Sequence, residues 1–129
     1  MTASEIVGRR VLILEDEPLI AMLLVDILER AGCTIAGPTF DVTQALALVC
    51  DRDIDVAILD INLGAGATSA PVADELSKLG IPFIFATGYT GSALREIDSG
   101  RLMVSKPYNE PELIAGLIAA VEAAKSCRS

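Results

Sequence analysis

The segment Val11-Leu12-Ile13-Leu14-Glu15-Asp16-Glu17 is a short apolar run that ends in three acids, and Val56-Ala57-Ile58-Leu59-Asp60 repeats the pattern with one acid. Apolar runs of this length are typical of buried strands in a parallel sheet. In open α/β sheets, the working site lies just beyond the carboxyl ends of the strands. The two segments therefore predict that carboxylates from two strands meet at one edge of a sheet.

Carboxylates this close repel each other, and the repulsion disfavours the ionised state unless a positive charge compensates it. The two segments contain no lysine, arginine or histidine. Hard divalent cations prefer oxygen ligands. The pattern therefore indicates a site for an ion such as Mg²⁺.

The composition excludes several classes of function. The chain has 129 residues, a formal net charge of −8 and no histidine. The negative charge argues against direct binding to nucleic acid or an anionic membrane. The missing histidine excludes Ser-His or Cys-His catalysis, histidine-ligated zinc and a phosphohistidine carrier. No secretory signal is visible, and the widely spaced cysteines fit a reducing cytoplasm with Cys33 and Cys50 as buried thiols, so we expect a cytoplasmic protein.

Strand-like and helical patterns alternate along the chain, which predicts an α/β fold with five βα units around a parallel sheet. The predicted strands are residues 10–14, 33–36, 56–59, 81–86 and 102–104. The predicted helices lie between Pro18 and Gly32, at 41–50, at 71–79, at 92–98, and after Asn109, which caps the last helix with Glu112 as capping-box partner. We expect one domain at residues 9–126, a short tail at 1–8 and no output domain.

The first helix carries more apolar residues than one buried face requires. The predicted buried stripe follows a helical spacing and consists of Ile20, Leu23, Leu24, Ile27 and Leu28. Leu19, Met22 and Val25 lie off that stripe. They either pack against neighbouring elements or form a docking surface for a protein partner.

Five side chains at strand ends each have an ordinary interpretation when taken alone. Glu15 and Asp16 can cap a helix, Asp60 and Lys106 can be solvated loop residues, and Thr87 can cap a turn. Their common placement is more specific, because all five follow predicted strands at the same edge of one sheet.

With these residues in place, the chain resembles the receiver domain of two-component response regulators from about Arg9 to Lys125. The motifs that carry the resemblance are Glu15-Asp16 after the first strand, Asp60 after the third, Thr87 after the fourth and Lys106-Pro107 after the fifth. The resemblance implies a flavodoxin-like, doubly wound sheet of five parallel strands in the order 2-1-3-4-5.

The resemblance also implies a role for each residue. Asp60 would be the nucleophile that accepts a phosphoryl group. Glu15, Asp16 and Asp60 would hold Mg²⁺ together with the backbone carbonyl of Asn62, whereas Thr87 and Lys106 would contact phosphoryl oxygens. Phosphoryl transfer depends on positioning and charge neutralisation, which these groups would supply.

The implied function is that of a single-domain response regulator in a two-component phosphorelay. A sensor histidine kinase or a histidine phosphotransfer protein would donate the phosphoryl group. The phosphorylated domain would then signal to an unknown downstream protein, or act as a phosphate shuttle or sink. It would catalyse its own phosphorylation and slow dephosphorylation without turning over a separate substrate.

Two positions depart from the usual receiver pattern. Gly64 stands where family members often carry proline, and Met103 stands where a tyrosine or phenylalanine usually acts as a switch. Phe85-Ala86-Thr87-Gly88 resembles a subfamily of stand-alone receivers that commonly lacks the switch aromatic and often pairs with kinases of the HWE and related classes. We therefore expect signalling to order residues 88–98 instead.

The main alternative is a phosphatase of the haloacid dehalogenase type, which also uses an aspartate nucleophile and Mg²⁺. That family requires a second aspartate two residues later as general acid, where this chain has Asn62. A nucleotide or flavin module on the same fold would need a glycine-rich turn after the first strand. A degenerate receiver that only mediates contacts would lack some of the five site residues. The receiver interpretation is favoured over all three.

Overall fold

The computed structural model describes residues 6–51, 53–61, 63, 68–87, 103–105 and 109–128. Strands and helices alternate from β1 to β4 as predicted. In chain order the described elements are β1 Arg10–Leu14, α1 Pro18–Arg30, β2 Thr34–Thr39, α2 Val42–Asp51, β3 Val56–Asp60, α3 Ala70–Leu79, β4 Phe83–Thr87, β5 Met103–Ser105 and α4 Glu110–Arg128. The helix predicted at 92–98 lies outside the described residues.

The five strands form one parallel sheet in the order β2-β1-β3-β4-β5. The sequence order reverses between β1 and β3, so the chain winds first to one side of the sheet and then to the other. The expected fold class and strand order are confirmed.

Alternate residues of the central strands face two separate cores. One core joins Val11, Ile13 and Ile58 to buried residues of α1 and α4. The other joins Leu12 and Leu59 to buried residues of α2 and α3, together with the two phenylalanines of β4. Both faces of the sheet are therefore covered by helices, which explains why residues 11–14 of β1 and 56–59 of β3 are all apolar rather than apolar at every second position.

Side-chain hydrogen bonds cap the starts of α2 and α4. The Asn109 side chain accepts a hydrogen bond from the Glu112 backbone N–H at 3.0 Å, so the predicted cap of α4 is confirmed. We did not predict the cap of α2, where Asp41 accepts from the Gln44 N–H and the Gln44 side chain accepts from the Phe40 N–H, both at 2.8 Å. The Asp-x-x-Gln spacing is the signal that would have identified it.

The buried face of helix α1 is shifted around the helix from the predicted stripe. Leu24, Ile27 and Leu28 are buried, but the predicted core residue Leu23 is 42% exposed. Ala21 takes its place in the buried face. Of the residues off the stripe, Leu19 and Met22 are exposed, and Val25 packs partly against the core.

Strand β2 extends farther than the predicted residues 33–36, because it continues through Gly37 and Pro38, which are joined by a cis peptide bond. Leu12 is paired with Ala36 but Leu14 with Thr39, so two residues of β2 lie opposite Ile13. This arrangement is a β-bulge. Gly37 has a φ of 110°, which disfavours any residue with a side chain.

The amino-terminal turn packs against the rest of the domain. Ile6 is fully buried against the core of α1 and α4, and the Gly8 N–H donates to the Gly32 carbonyl, so the packed domain begins before residue 9.

The two described cysteines differ in their environment. Cys33 is buried as expected, and burial raises the pKa of its thiol. Cys50 was expected to be buried but is exposed, because it lies on the outward face of α2. In the described part of the chain, no helix has the length and apolar character of a membrane span.

The bulge gives a test of backbone geometry. A Cβ atom at Gly37 would lie 2.8 Å from the Thr39 backbone nitrogen, in addition to the cost of a positive φ. We expect Gly37→Ala to lower the free energy of unfolding in urea by about 2 kcal/mol or more.

Gly80→Ala is the matched control, because Gly80 also has a positive φ, of 72°, but nothing lies within 4 Å of its added Cβ. We expect it to cost only about 1 kcal/mol. Equal losses for the two variants would contradict the proposed clash at the bulge.

Candidate functional site

The pairing of β1 with β3 brings the predicted acids together. Leu14 is the register partner of Leu59, and each is followed directly by an acid, Glu15 and Asp60. One ligand oxygen from each of Glu15, Asp16 and Asp60 lies within 4.8 Å of the other two. The expected meeting of carboxylates at the carboxyl edge of the sheet is therefore present, and we call these three residues the acid cluster.

The acid cluster is shielded from solvent to different degrees. Glu15 is 0% exposed and Asp60 is 5% exposed, whereas Asp16 is partly exposed. Glu15 Oε2 accepts a hydrogen bond from the Glu17 backbone N–H at 3.2 Å, just before α1 begins. Two nearly buried carboxylates with a third beside them form a site of concentrated negative charge, open on the side of Asp16.

The donor set of the acid cluster is suitable for a hard divalent cation. All three groups offer carboxylate oxygens, which Mg²⁺ prefers over nitrogen or sulfur ligands. Octahedral ligands about 2.1 Å from Mg²⁺ lie within about 4.2 Å of each other. The observed spread of up to 4.8 Å is close to this range, so the residues present fit the ion.

Backbone hydrogen bonds hold the strand ends that carry the acids. The Glu15 N–H donates to the Thr39 carbonyl at 3.0 Å, and the Thr39 hydroxyl donates to the Ile13 carbonyl at 2.6 Å. The Ile61 N–H, one residue after Asp60, donates to the Ala86 carbonyl of β4 at 3.2 Å. We did not predict the contacts of Thr39, because they depend on the bulge in β2.

The remaining predicted site residues lie at the same edge or outside the described residues. Thr87 is the last residue of β4, one position beyond Ala86, whose register partner is Asp60. Met103 lies in β5 as the partner of Phe85, and Ser105 pairs with Thr87. Asn62, Gly64, the segment 88–98 and Lys106 lie outside the described residues, so the roles given to them stay predictions.

Comparison with known proteins agrees with the fold. The family model of the response regulator receiver domain matches residues 11–118. The transcriptional regulatory protein PdtaR of Mycobacterium tuberculosis is 32% identical over 122 residues, which cover 92% of this chain and 60% of PdtaR. The chain therefore spans about three-fifths of the length of this relative.

Two solved structures of one protein are also similar. The solution structure of SdrG from Sphingomonas melonis Fr1 is 41% identical, with a TM-score of 0.78, over 95% of this chain and 99% of SdrG. The BeF3-activated conformation of SdrG is 43% identical, with a TM-score of 0.74, over 84% of this chain and 95% of that one. Together with the match over residues 11–118, these similarities show that the chain belongs to the response regulator receiver domain family of two-component signalling.

Proposed function

We propose that this chain accepts a phosphoryl group on Asp60 and changes its protein contacts in response. The observation that carries the proposal is the acid cluster, which lies at the carboxyl edge of the sheet in a chain of this family. Asp60 is the member of the cluster at the end of β3, the middle strand of the sheet. It is flanked by β1, which carries the other two acids, and by β4, which ends in Thr87.

The proposal gives the other site residues supporting roles. Glu15, Asp16 and Asp60 would hold Mg²⁺ with the backbone carbonyl of Asn62. The bound ion would neutralise the negative charge of both the acceptor and the incoming phosphoryl group. Lys106 would neutralise a second part of that charge, and Thr87 would donate a hydrogen bond to a phosphoryl oxygen.

The transfer step needs no group from this chain beyond those named above. A carboxylate oxygen of Asp60 attacks the phosphorus of a phosphohistidine, a P–O bond forms, and the P–N bond breaks. The imidazole leaves with the electron pair of that bond. Because the chain has no histidine, the donor belongs to a partner, which we propose is a sensor histidine kinase or a histidine phosphotransfer protein in the cytoplasm.

The similarity to SdrG supports the response part of the proposal. SdrG has a BeF3-activated conformation, and beryllofluoride is an analogue of a phosphoryl group. We propose that this chain is activated in the same way and passes its signal through protein contacts, or serves as a phosphate shuttle or sink.

An exposed apolar surface on α1 suits the phosphoryl donor. Leu19, Met22 and Leu23 are 86%, 56% and 42% exposed, and their spacing places them on one side of the helix. Helix α1 begins at Pro18, two residues after Asp16, so this surface starts beside the acid cluster. We propose that a helical surface of the partner packs on it and thereby brings phosphohistidine to Asp60.

The acceptor is tested by chemical phosphorylation. Acetyl phosphate with Mg²⁺ should add one phosphoryl group to the wild type, measured by intact mass, and Asp60→Asn should abolish it because the amide is not a nucleophile. Asp53→Asn, which changes an exposed aspartate outside the cluster, should label normally. Undiminished labelling of Asp60→Asn would refute the assignment, and sustained hydrolysis of a simple phosphomonoester by the wild type would favour the dehalogenase-type phosphatase.

The metal is tested by stability. At a Mg²⁺ concentration of about 100 times Kd, the wild type should gain about 2.7 kcal/mol in its free energy of unfolding. Asp16→Asn should lose most of this gain, yet without metal it should be more stable than the wild type by on the order of 1 kcal/mol, because one repulsion is removed. Urea unfolding with and without Mg²⁺ measures both effects. If the free energy of unfolding of the wild type is the same in both conditions, the proposal is contradicted.

The docking surface is tested with a kinase that phosphorylates the wild type. Met22→Lys should slow phosphotransfer from this kinase about tenfold, because it places a charge in the apolar contact, and should leave acetyl phosphate labelling intact. Leu79→Lys is the matched control, because Leu79 is similarly exposed, at 52%, but lies at the end of α3, near the amino ends of the strands and away from the acid cluster. Equal transfer rates for Met22→Lys and the wild type would exclude α1 as the docking face. Loss of both labelling routes would show that Met22 is structural.

A further inference from the structure

We propose that Thr39 is a positioning residue for Glu15, and that its hydroxyl replaces a backbone donor that Pro38 cannot supply. The proposal rests on the proposed function, in which Glu15 binds Mg²⁺. Thr39 is buried at the end of β2 and lies outside the five residues that mark the family resemblance. Its role follows from the hydrogen bonds between β2 and β1.

The regular part of the ladder shows which donor is missing. In a parallel pair, alternate residues of one strand donate their N–H groups to alternate carbonyls of the other. The Thr34 N–H donates to the Arg9 carbonyl. If this alternation continued along both strands, the N–H of residue 36 would donate to the Val11 carbonyl, and the N–H of residue 38 would donate to the Ile13 carbonyl. Position 38 is proline, which has no N–H.

The Thr39 hydroxyl fills this place. It donates to the Ile13 carbonyl at 2.6 Å, a short hydrogen bond, and both groups are buried. The bulge at Gly37 and Pro38 brings Thr39 opposite Leu14 and so within reach of that carbonyl. A buried carbonyl without a donor would carry a desolvation cost, so the hydroxyl is needed where the ladder lacks an amide.

The same residue also holds the acid-bearing end of β1. The Thr39 carbonyl accepts the Glu15 N–H at 3.0 Å. Thr39 therefore contacts β1 on both sides of Leu14, through its side chain at Ile13 and its main chain at Glu15. Since the backbone of Glu15 sets where its carboxylate can reach, loosening this contact changes the geometry of the acid cluster.

The test compares Mg²⁺ affinity across variants of the full chain. Thr39→Val and Thr39→Ala remove the hydroxyl and should each weaken Mg²⁺ binding about tenfold by isothermal titration. Thr39→Ser keeps the hydroxyl and should bind within about twofold of the wild type. Ala36→Gly is the control for general destabilisation, because Ala36 is buried in β2 opposite Leu12, away from the acids; it should lower the unfolding midpoint and leave Mg²⁺ affinity unchanged.

A second measurement does not depend on the folding of the two variants that lack the hydroxyl. Amide hydrogen exchange of the metal-free wild type should show a slowly exchanging Glu15 N–H, and Thr39→Ser should preserve this protection. A Glu15 amide that exchanges as fast as an exposed amide would overturn the proposal.

The outcomes separate this proposal from the proposed function. If both hydroxyl-free variants bind Mg²⁺ with wild-type affinity, the role of Thr39 alone is refuted. It is also refuted if Thr39→Ser loses as much Mg²⁺ affinity as Thr39→Ala. A wild-type protein that does not bind Mg²⁺ would refute the metal part of the proposed function, and with it the positioning role.

Discussion

The parallel pairing of β1 with β3 is the constraint on which the rest of the structure depends. Its register places Leu14 beside Leu59, and therefore Glu15 beside Asp60. A shift of one residue would turn each side chain to the opposite face of the sheet, and both cores would lose their apolar layers. The burial of Ile13 and Ile58 on one face and Leu12 and Leu59 on the other therefore fixes the position of the acids.

This arrangement sets two free-energy terms against each other. Gathering three carboxylates at the edge of a sheet destabilises the fold, because two of them are nearly buried and all carry the same charge. Apolar burial on both faces of the sheet offsets this cost, since the strands that carry the acids are buried along almost their whole length.

The sequence predicted most of the architecture, because the signals for buried strands and helix ends are local. The apolar runs before Glu15 and Asp60 and the cap at Asn109 need only neighbouring residues to be recognised. The strand order was implied by the family resemblance and not by periodicity. The exposure of Leu23 was missed, because the helical spacing shows which apolar residues share a side of the helix but not which of them the sheet covers.

The part of the site that was not predicted depends on tertiary register. Nothing in Gly37-Pro38-Thr39 by itself shows that Thr39 contacts Ile13 and Glu15, because the bulge that brings them together exists only when β2 lies against β1. The predicted strand ended at Ala36 because glycine and proline usually interrupt a strand. In this chain they lie within one, at an edge of the sheet where such residues are tolerated.

The bulge has a further consequence for how the molecule behaves among its own copies. Strand β2 is an edge strand, and an uninterrupted edge can serve as a template on which a second chain adds by hydrogen bonding. The regular register of β2 covers only Thr34, Ile35 and Ala36 before the irregularity at Gly37 and Pro38. An incoming strand would find no long, continuous row of partners there. The same irregularity that shapes the neighbourhood of the acids therefore protects this edge against self-association into extended sheets.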